Sequence, residues 1–207
     1  MAATSAGAVI KRHPFTSDAE EGARLSALRA YRVLDTGRES RFDDLTGLAA
    51  NICEAPISLL SLVDAHRLFF KSAYGVDFRE VPYPDFCCGH AIRERDVFQV
   101  HDTAADHRFA DHPMVADTPR IRSYAGAPLV TQQGHALGVL CVADRVPRSF
   151  DARQLETLRV LARQVMSQLD LNLQAMRDPL TGLYNRRQLE ESLHREILRA
   201  RRTGAPV

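Results

Sequence analysis

The sequence predicts an α+β domain in which helices flank an antiparallel β-sheet, with a long helix following it. Three observations carry this prediction. Apolar residues recur at helical spacing near both ends of the chain, two hairpin-like pairs of short apolar runs lie between them, and a long polar excursion separates the hairpins.

Residues 1–21 are small, polar and aperiodic, and are expected to form a mobile N-terminal arm. Helical spacing begins with Leu25, Leu28, Tyr31 and Leu34 and stops near "DTG". A second helix runs through Phe42, Leu45, Leu48, Ala49 and Ile52, and Pro56 bars its continuation. "ISLLSLVD" (57–64) and "RLFFKSAYG" (67–75) are apolar runs separated by Ala65-His66, the pattern of a hairpin. Pro82 and Pro84 mark loop before a short helix around "GHAIRER", and "VFQVHD" (97–102) is a further strand. The polar stretch "TAADHRFADHPMVADTPR" has a length that points to function or disorder. "SYAGAPLVTQQGHALGVLCVAD" (123–144) is the second hairpin, turning at "QQGH". Gly126 and Gly138 lie inside its arms, where a bulge or a close backbone approach is expected.

From Asp151 the period is helical again. Leu155, Leu158, Ala162, Val165, Leu169, Asn172 and Met176 follow one another at alternating steps of three and four, the spacing of an a/d seam. Residues 151–177 are therefore predicted to be a signalling helix whose later turns pair with the same helix of a second copy in a parallel homodimer. Asn172 is the polar residue on that seam, a place where such a residue can fix register. The same spacing also suits a helix packed on its own sheet through Leu158, Leu161 and Val165. On the dimer reading, Leu169→Asp separates the two copies.

The bulk numbers narrow the function classes. The formal charge is +1, with 45% hydrophobic and 26% charged residues, so neither nucleic acid nor an anionic membrane is indicated as the main partner. No apolar run approaches the ~18 residues of a membrane span. At the N-terminus a short apolar stretch precedes the basic residues, the reverse of a secretory signal. The four cysteines, Cys53, Cys87, Cys88 and Cys141, include no Cys-x-x-Cys pair, as expected of reduced thiols in a cytoplasmic protein.

Several separated blocks then point to one family. "RLSALRAYRVLDTGRESRFDDLTGLAANICEAPISLLSLVD" resembles the start of a bacterial GAF domain, and "FFKSAYG", "FCCGHAI", "VHDTAADHRFADHPMV", "SYAGAPL", "GVLCVAD" and "PRSF" follow in the order one subgroup of that family shows. The resemblance implies a GAF sensory domain over residues 22–150. "DPLTGLYNRR" (Asp178 to Arg187) resembles the opening of a GGDEF domain, the catalytic unit of diguanylate cyclases, so that 178–207 reads as the start of such a domain. Its metal-binding Asp and its Gly-Gly-Asp/Glu-Glu-Phe hairpin are not among these residues. The expectation is a signal-input and dimerisation module for cyclic di-GMP synthesis, with GTP and Mg needed only by the GGDEF domain and no catalytic residue in the chain itself.

GAF domains bind small ligands in a pocket between the sheet and the loops on one face. The resemblance places that pocket among Cys87, Cys88, His90, Asp102, Asp106, Arg108, Tyr124 and Cys141. The ligand is not readable. A metal site at Cys87, Cys88 and His90 is disfavoured because adjacent cysteines seldom both reach one tetrahedral ion. Bilin attachment is disfavoured because Gly89 separates Cys88 from His90. Asp102 and Asp106 equally suit turn capping, Arg108 a pairing with one of them, and Tyr124 a core position. Cys87, Cys88 and Cys141 leave open a thiol redox sensor or a redox enzyme resembling free-methionine-sulfoxide reductases.

Overall fold

The computed structural model describes residues 17–82 and 86–176; most of the expected arm and all of Asp178–Arg187 lie outside the described residues. The chain opens with helix α1 (Asp18–Ala30), earlier than the apolar spacing alone predicts. Ser17 starts it: its side chain accepts a hydrogen bond from the Glu20 N–H at 3.2 Å, and Asp18, Glu20 and Glu21 place negative charge on the first turn. The helix stops at Tyr31 and does not reach Leu34, because the next residue, Arg32, turns into the left-handed region at φ 53°. Helix α2 (Ser40–Ile52) occupies the predicted span.

Six strands follow the second helix: β1 (Ile57–Val63), β2 (Leu68–Tyr74), β3 (Glu80–Val81), β4 (Phe98–Val100), β5 (Ser123–Val130) and β6 (Ala136–Asp144). They form one sheet in the order β3-β2-β1-β6-β5-β4, antiparallel throughout. Two one-turn helices, α3 (Cys87–Ala91) and α4 (Pro113–Ala116), sit in the loops, and α5 (Ala152–Ala175) closes the described chain. The α+β expectation and both hairpins hold. β3 and α4, two and four residues long, are too short to leave a periodicity.

Side chains alternate across the sheet and divide the core in two. Leu60, Leu62, Ala125, Ala127, Leu129, Leu140 and Val142 face α1, α2 and α5. Ile57, Leu59, Val63, Tyr124, Val139 and Cys141 face α3, α4 and the connecting loops. Gly138 does what its position in the strand suggested: a Cβ there would stand 2.1 Å from the Ser61 carbonyl oxygen of β1.

A bulge re-aims one charged side chain. Leu60 pairs with Ser72 and Ser61 with Phe70, which leaves Lys71 as the extra residue on β2. Its ammonium group, buried beneath the α1–α2 connection, lies 2.5 Å from Glu39 Oε1 and donates to Thr36 Oγ1 and the Gly37 carbonyl, each at 2.7 Å. Glu39 also pairs with Arg41. Burial works against the Glu39 charge, but hydrogen bonds from Lys71 and Arg41 hold its carboxyl below the ordinary range.

Helix α5 is started by a reciprocal cap. Asp151 accepts from the Gln154 N–H at 2.8 Å, and the Gln154 side chain accepts from the Asp151 N–H at 3.0 Å. The proposed dimer seam then needs correction. Leu158, Ala162, Val165 and Leu169 are buried inside this one chain, together with Leu161 and Met166. Two additional buried positions make the stripe as wide as that of a helix lying on a sheet, wider than a two-stranded seam. Leu155 is only partly buried against the same core. Asn172 is engaged within the chain: its side-chain oxygen accepts from Arg41 at 2.6 Å. Two residues earlier on the helix, Asp170 accepts from the Tyr31 hydroxyl at 2.6 Å. Met176 is the C-cap residue, its N–H returned to the Asn172 carbonyl.

Candidate functional site

The second face of the sheet gathers four of the eight pocket residues expected from the sequence, Cys87, Cys88, Tyr124 and Cys141. Helix α3 is too short to be stable by itself, and it rests on the sheet through the side chains of Cys87, Cys88 and Ala91, all buried. From β1, Ser61 reaches the Cys88 sulfur at 3.2 Å; from β5, the Tyr124 hydroxyl reaches it at 3.3 Å. Cys141, on the central strand β6, completes the group: it pairs with Gly126 across the β5–β6 ladder, and the Tyr124 hydroxyl that reaches Cys88 lies over that glycine. The Ser61 hydroxyl carries one proton and has a second acceptor, the Val139 carbonyl at 3.3 Å.

These contacts separate the thiols chemically. Hydrogen bonding from Cys141, then from Ser61 and Tyr124, holds the Cys88 thiol below its ordinary range in spite of burial. The Cys141 thiol moves the other way, through its bond to Cys88 and through burial. Burial pushes the Cys87 thiol and the Tyr124 phenol well up. Cys53 lies on the opposite face, where its thiol meets the Gln154 carbonyl at 3.8 Å and burial pushes it up to about 11.

Gly126 makes room for this arrangement. A Cβ there would stand 2.4 Å from the Tyr124 hydroxyl and 2.6 Å from Val139 Cγ1, so the phenol lies along its own strand over a bare backbone. Gly126→Ala is expected to cost about 1–3 kcal/mol, as overpacking does, and to swing the hydroxyl off Cys88. Urea unfolding with near-ultraviolet circular dichroism of the tyrosines measures both effects.

The remaining candidates sit around the cluster without joining it. His90 is half-buried and packs edge-on against Phe109, with ring centroids 5.0 Å apart. The Arg108 guanidinium covers Phe98 and Phe109 at 5.3 and 5.0 Å. Asp106 binds Arg108 twice over, through its N–H at 3.0 Å and its guanidinium at 2.6 Å, which lowers the carboxyl to about 2. Asp102 lies apart from the thiols: it caps the Ala104 N–H and holds Arg122 bidentately at 2.9 and 2.8 Å. Both aspartates thus serve the loop. Among the described residues no group of His, Cys, Asp and Glu is arranged to hold a metal ion, and no helix is long and apolar enough to cross a membrane.

Ser61 was missed from the sequence, although a serine inside the apolar run "ISLLSLVD" is a detectable irregularity. Phe86, Phe98 and Phe109, which wall the site, are ordinary core residues by composition and carry no signal of their own. A separate groove of about 530 Å³ runs between α5 and the outer end of β5, lined in part by Arg95, Val130, Arg163 and Leu171. It shares no residue with the thiol cluster.

The comparisons with known proteins fit this architecture. The family model described as the GAF domain matches residues 37–169. A cyclic di-GMP phosphodiesterase of Pseudomonas aeruginosa is 39% identical over 194 residues, which is 93% of this chain; the chain spans 32% of that relative's length. The GAF domain of an Acinetobacter phosphoenolpyruvate-protein phosphotransferase superposes with a TM-score of 0.56 at 15% identity, covering 79% of this chain and 99% of that one. The free methionine-R-sulfoxide reductase of Neisseria meningitidis does so with a TM-score of 0.56 at 20% identity, covering 80% of this chain and 98% of that one. At such identities the two structures speak for the fold alone.

Proposed function

Because the chain belongs to the GAF domain family, we propose that it is the signal-input module of a cytoplasmic bacterial protein that turns over cyclic di-GMP. The observation that carries this is the 39% identity, over 93% of the chain, to a protein named as a cyclic di-GMP phosphodiesterase. The direction of turnover is the finer part of the proposal. Asp178–Arg187 resembles the opening of a GGDEF domain, and an alignment that takes in 93% of the chain runs across that segment, because the residues beyond Arg187 outnumber those it omits. On this reading the input module governs a GGDEF domain that condenses GTP with Mg, and the relative's name adds breakdown as the second direction to assay.

The signal enters at the face that carries Cys88, Tyr124 and Cys141 and leaves through α5, which rests on the other side of the same sheet. Pairing of two copies uses the outward side of α5, where Val160 and Leu171 are exposed, since the inward seam is filled by the chain's own core. The test uses the natural gene product that carries this chain, incubated once with GTP and magnesium and once with cyclic di-GMP. Turnover in either direction that changes about fivefold or more in Tyr124→Phe, the lower end of ordinary coupling between sites, is the expected result. No turnover in either direction overturns the cyclic di-GMP assignment; turnover indifferent to the substitution overturns the input role.

A further inference from the structure

We propose that Cys88 and Cys141 are a redox pair that hydrogen peroxide converts into a disulfide within this one chain. The proposal goes beyond the input reading and stands whichever way cyclic di-GMP is turned over. Two thiols from different elements, the short helix α3 and the central strand β6, are brought together over Gly126: Cys141 is its partner across the β5–β6 ladder, and the Tyr124 hydroxyl lying over it reaches Cys88 at 3.3 Å. Two hydroxyl groups, Ser61 at 3.2 Å and Tyr124 at 3.3 Å, are directed at the same sulfur, Cys88. A core that needed only to be filled would not set polar donors around one sulfur atom.

The donors define the roles. Cys88 is the attacking sulfur, because the Ser61 and Tyr124 hydroxyls are both directed at it and stabilise its thiolate. The Cys88 thiolate attacks one peroxide oxygen: an S–O bond forms, the O–O bond breaks, and the departing hydroxide takes up the proton lost by the thiol and leaves as water. Cys88 is now a sulfenic acid. The Cys141 sulfur then attacks the Cys88 sulfur; the S–S bond forms, the S–O bond breaks, and the hydroxyl leaves with the Cys141 proton as a second water. The two sulfurs together lose two electrons and the peroxide gains them. A small dithiol reverses the change by exchange.

Burial sets the choice of oxidant. Cys88 is 3% exposed and Cys141 1% exposed, so a molecule little larger than water is favoured over bulky organic hydroperoxides. Access comes by opening α3, a single turn whose release breaks no strand pairing in the sheet. The chain carries its own control in Cys53, equally buried but on the opposite face and without hydroxyl donors at its sulfur among the described contacts.

The experiment treats the reduced whole chain with hydrogen peroxide, quenches at intervals with N-ethylmaleimide, unfolds, and maps the peptides by mass. The expected result is a cross-linked peptide pair joining Cys88 to Cys141, two hydrogens lighter than the free peptides, formed about tenfold faster than Cys53 is consumed, as thiolate character dictates. Cys141→Ser, unfolded in the presence of dimedone, retains a sulfenic acid on Cys88. Tyr124→Phe slows consumption of Cys88 but not of Cys53. A Cys87–Cys88 link, a link between chains, or equal rates for Cys53 and Cys88 in the unsubstituted chain overturns the proposal.

Discussion

Leu169→Asp is expected to abolish the fold of the single chain. Leu169 is 1% exposed, in the core between α5 and the sheet. Removing a buried leucine costs about 2–5 kcal/mol, and the new carboxylate must either stay charged without a partner or take up a proton. Together these approach the ~5–15 kcal/mol that holds an ordinary domain. The melting temperature should fall by at least about 10–20 °C, at roughly 2–4 °C per kcal/mol for a domain this large. Leu48→Gln, on α2 and 45% exposed, is the control and should stay within about 0.5 kcal/mol of the parent. Thermal unfolding followed by far-ultraviolet circular dichroism decides the matter. Equal melting of Leu169→Asp and the parent would mean that the seam does not face its own sheet.

Lys71→Met should cost about 2–3 kcal/mol, less than the 3–5 kcal/mol of breaking a fully buried pair. Glu39, the partner, remains partly exposed and keeps Arg41. The loss comes from Thr36 Oγ1, the Gly37 carbonyl and Glu39, which all lose the ammonium donor. The sign with pH follows from Glu39, whose carboxyl in the folded chain lies below its ordinary range. Stabilisation from a carboxyl of that kind is complete above the unfolded value of about 4.3 and is lost as the pH falls through the lower folded value. The gap between parent and Lys71→Met should therefore narrow as the pH drops below about 4. Urea unfolding at a series of pH values reads it directly, and a gap that is constant or widens in acid would show that Lys71 and Glu39 do not support each other.

What could be read from the sequence followed from periodicity, and what could not depended on contacts between distant residues. The apolar runs at 57–64 and 123–144 disclosed the sheet because strands of seven to nine residues buried on both faces leave short continuous apolar runs bounded by turn residues. The start of α1 was legible as Ser17 with Glu20 three residues on, a capping signature, but apolar spacing alone hides it because the first turn is acidic. Spacing at α5 gave the helix but left its partner open, since steps of three and four are the same whether a helix meets a second copy or its own sheet. Only Leu161 and Met166, which widen the stripe, tell the two apart. At the site, residue type singled out Cys88, Tyr124 and Cys141, while nothing local could join position 88 to position 141 or set Asp102 aside with Arg122. The first exists only once α3 lies over β6, the second only once β4 lies beside β5.

Strand β5 has one further implication. On the side of the thiols it carries Tyr124 and then the bare backbone of Gly126; on the side of α5 it carries Ala125 and Ala127, which leave the long helix close to the strand itself. Little compressible material lies between helix and strand at this point. A layer of leucines would absorb a small displacement by changing rotamers, whereas alanine has none to change. Any tilt that Tyr124 imposes on β5 is thus delivered to α5 almost undiminished, as through a thin diaphragm, and a larger side chain at Ala125 or Ala127 would act as padding that deadens it.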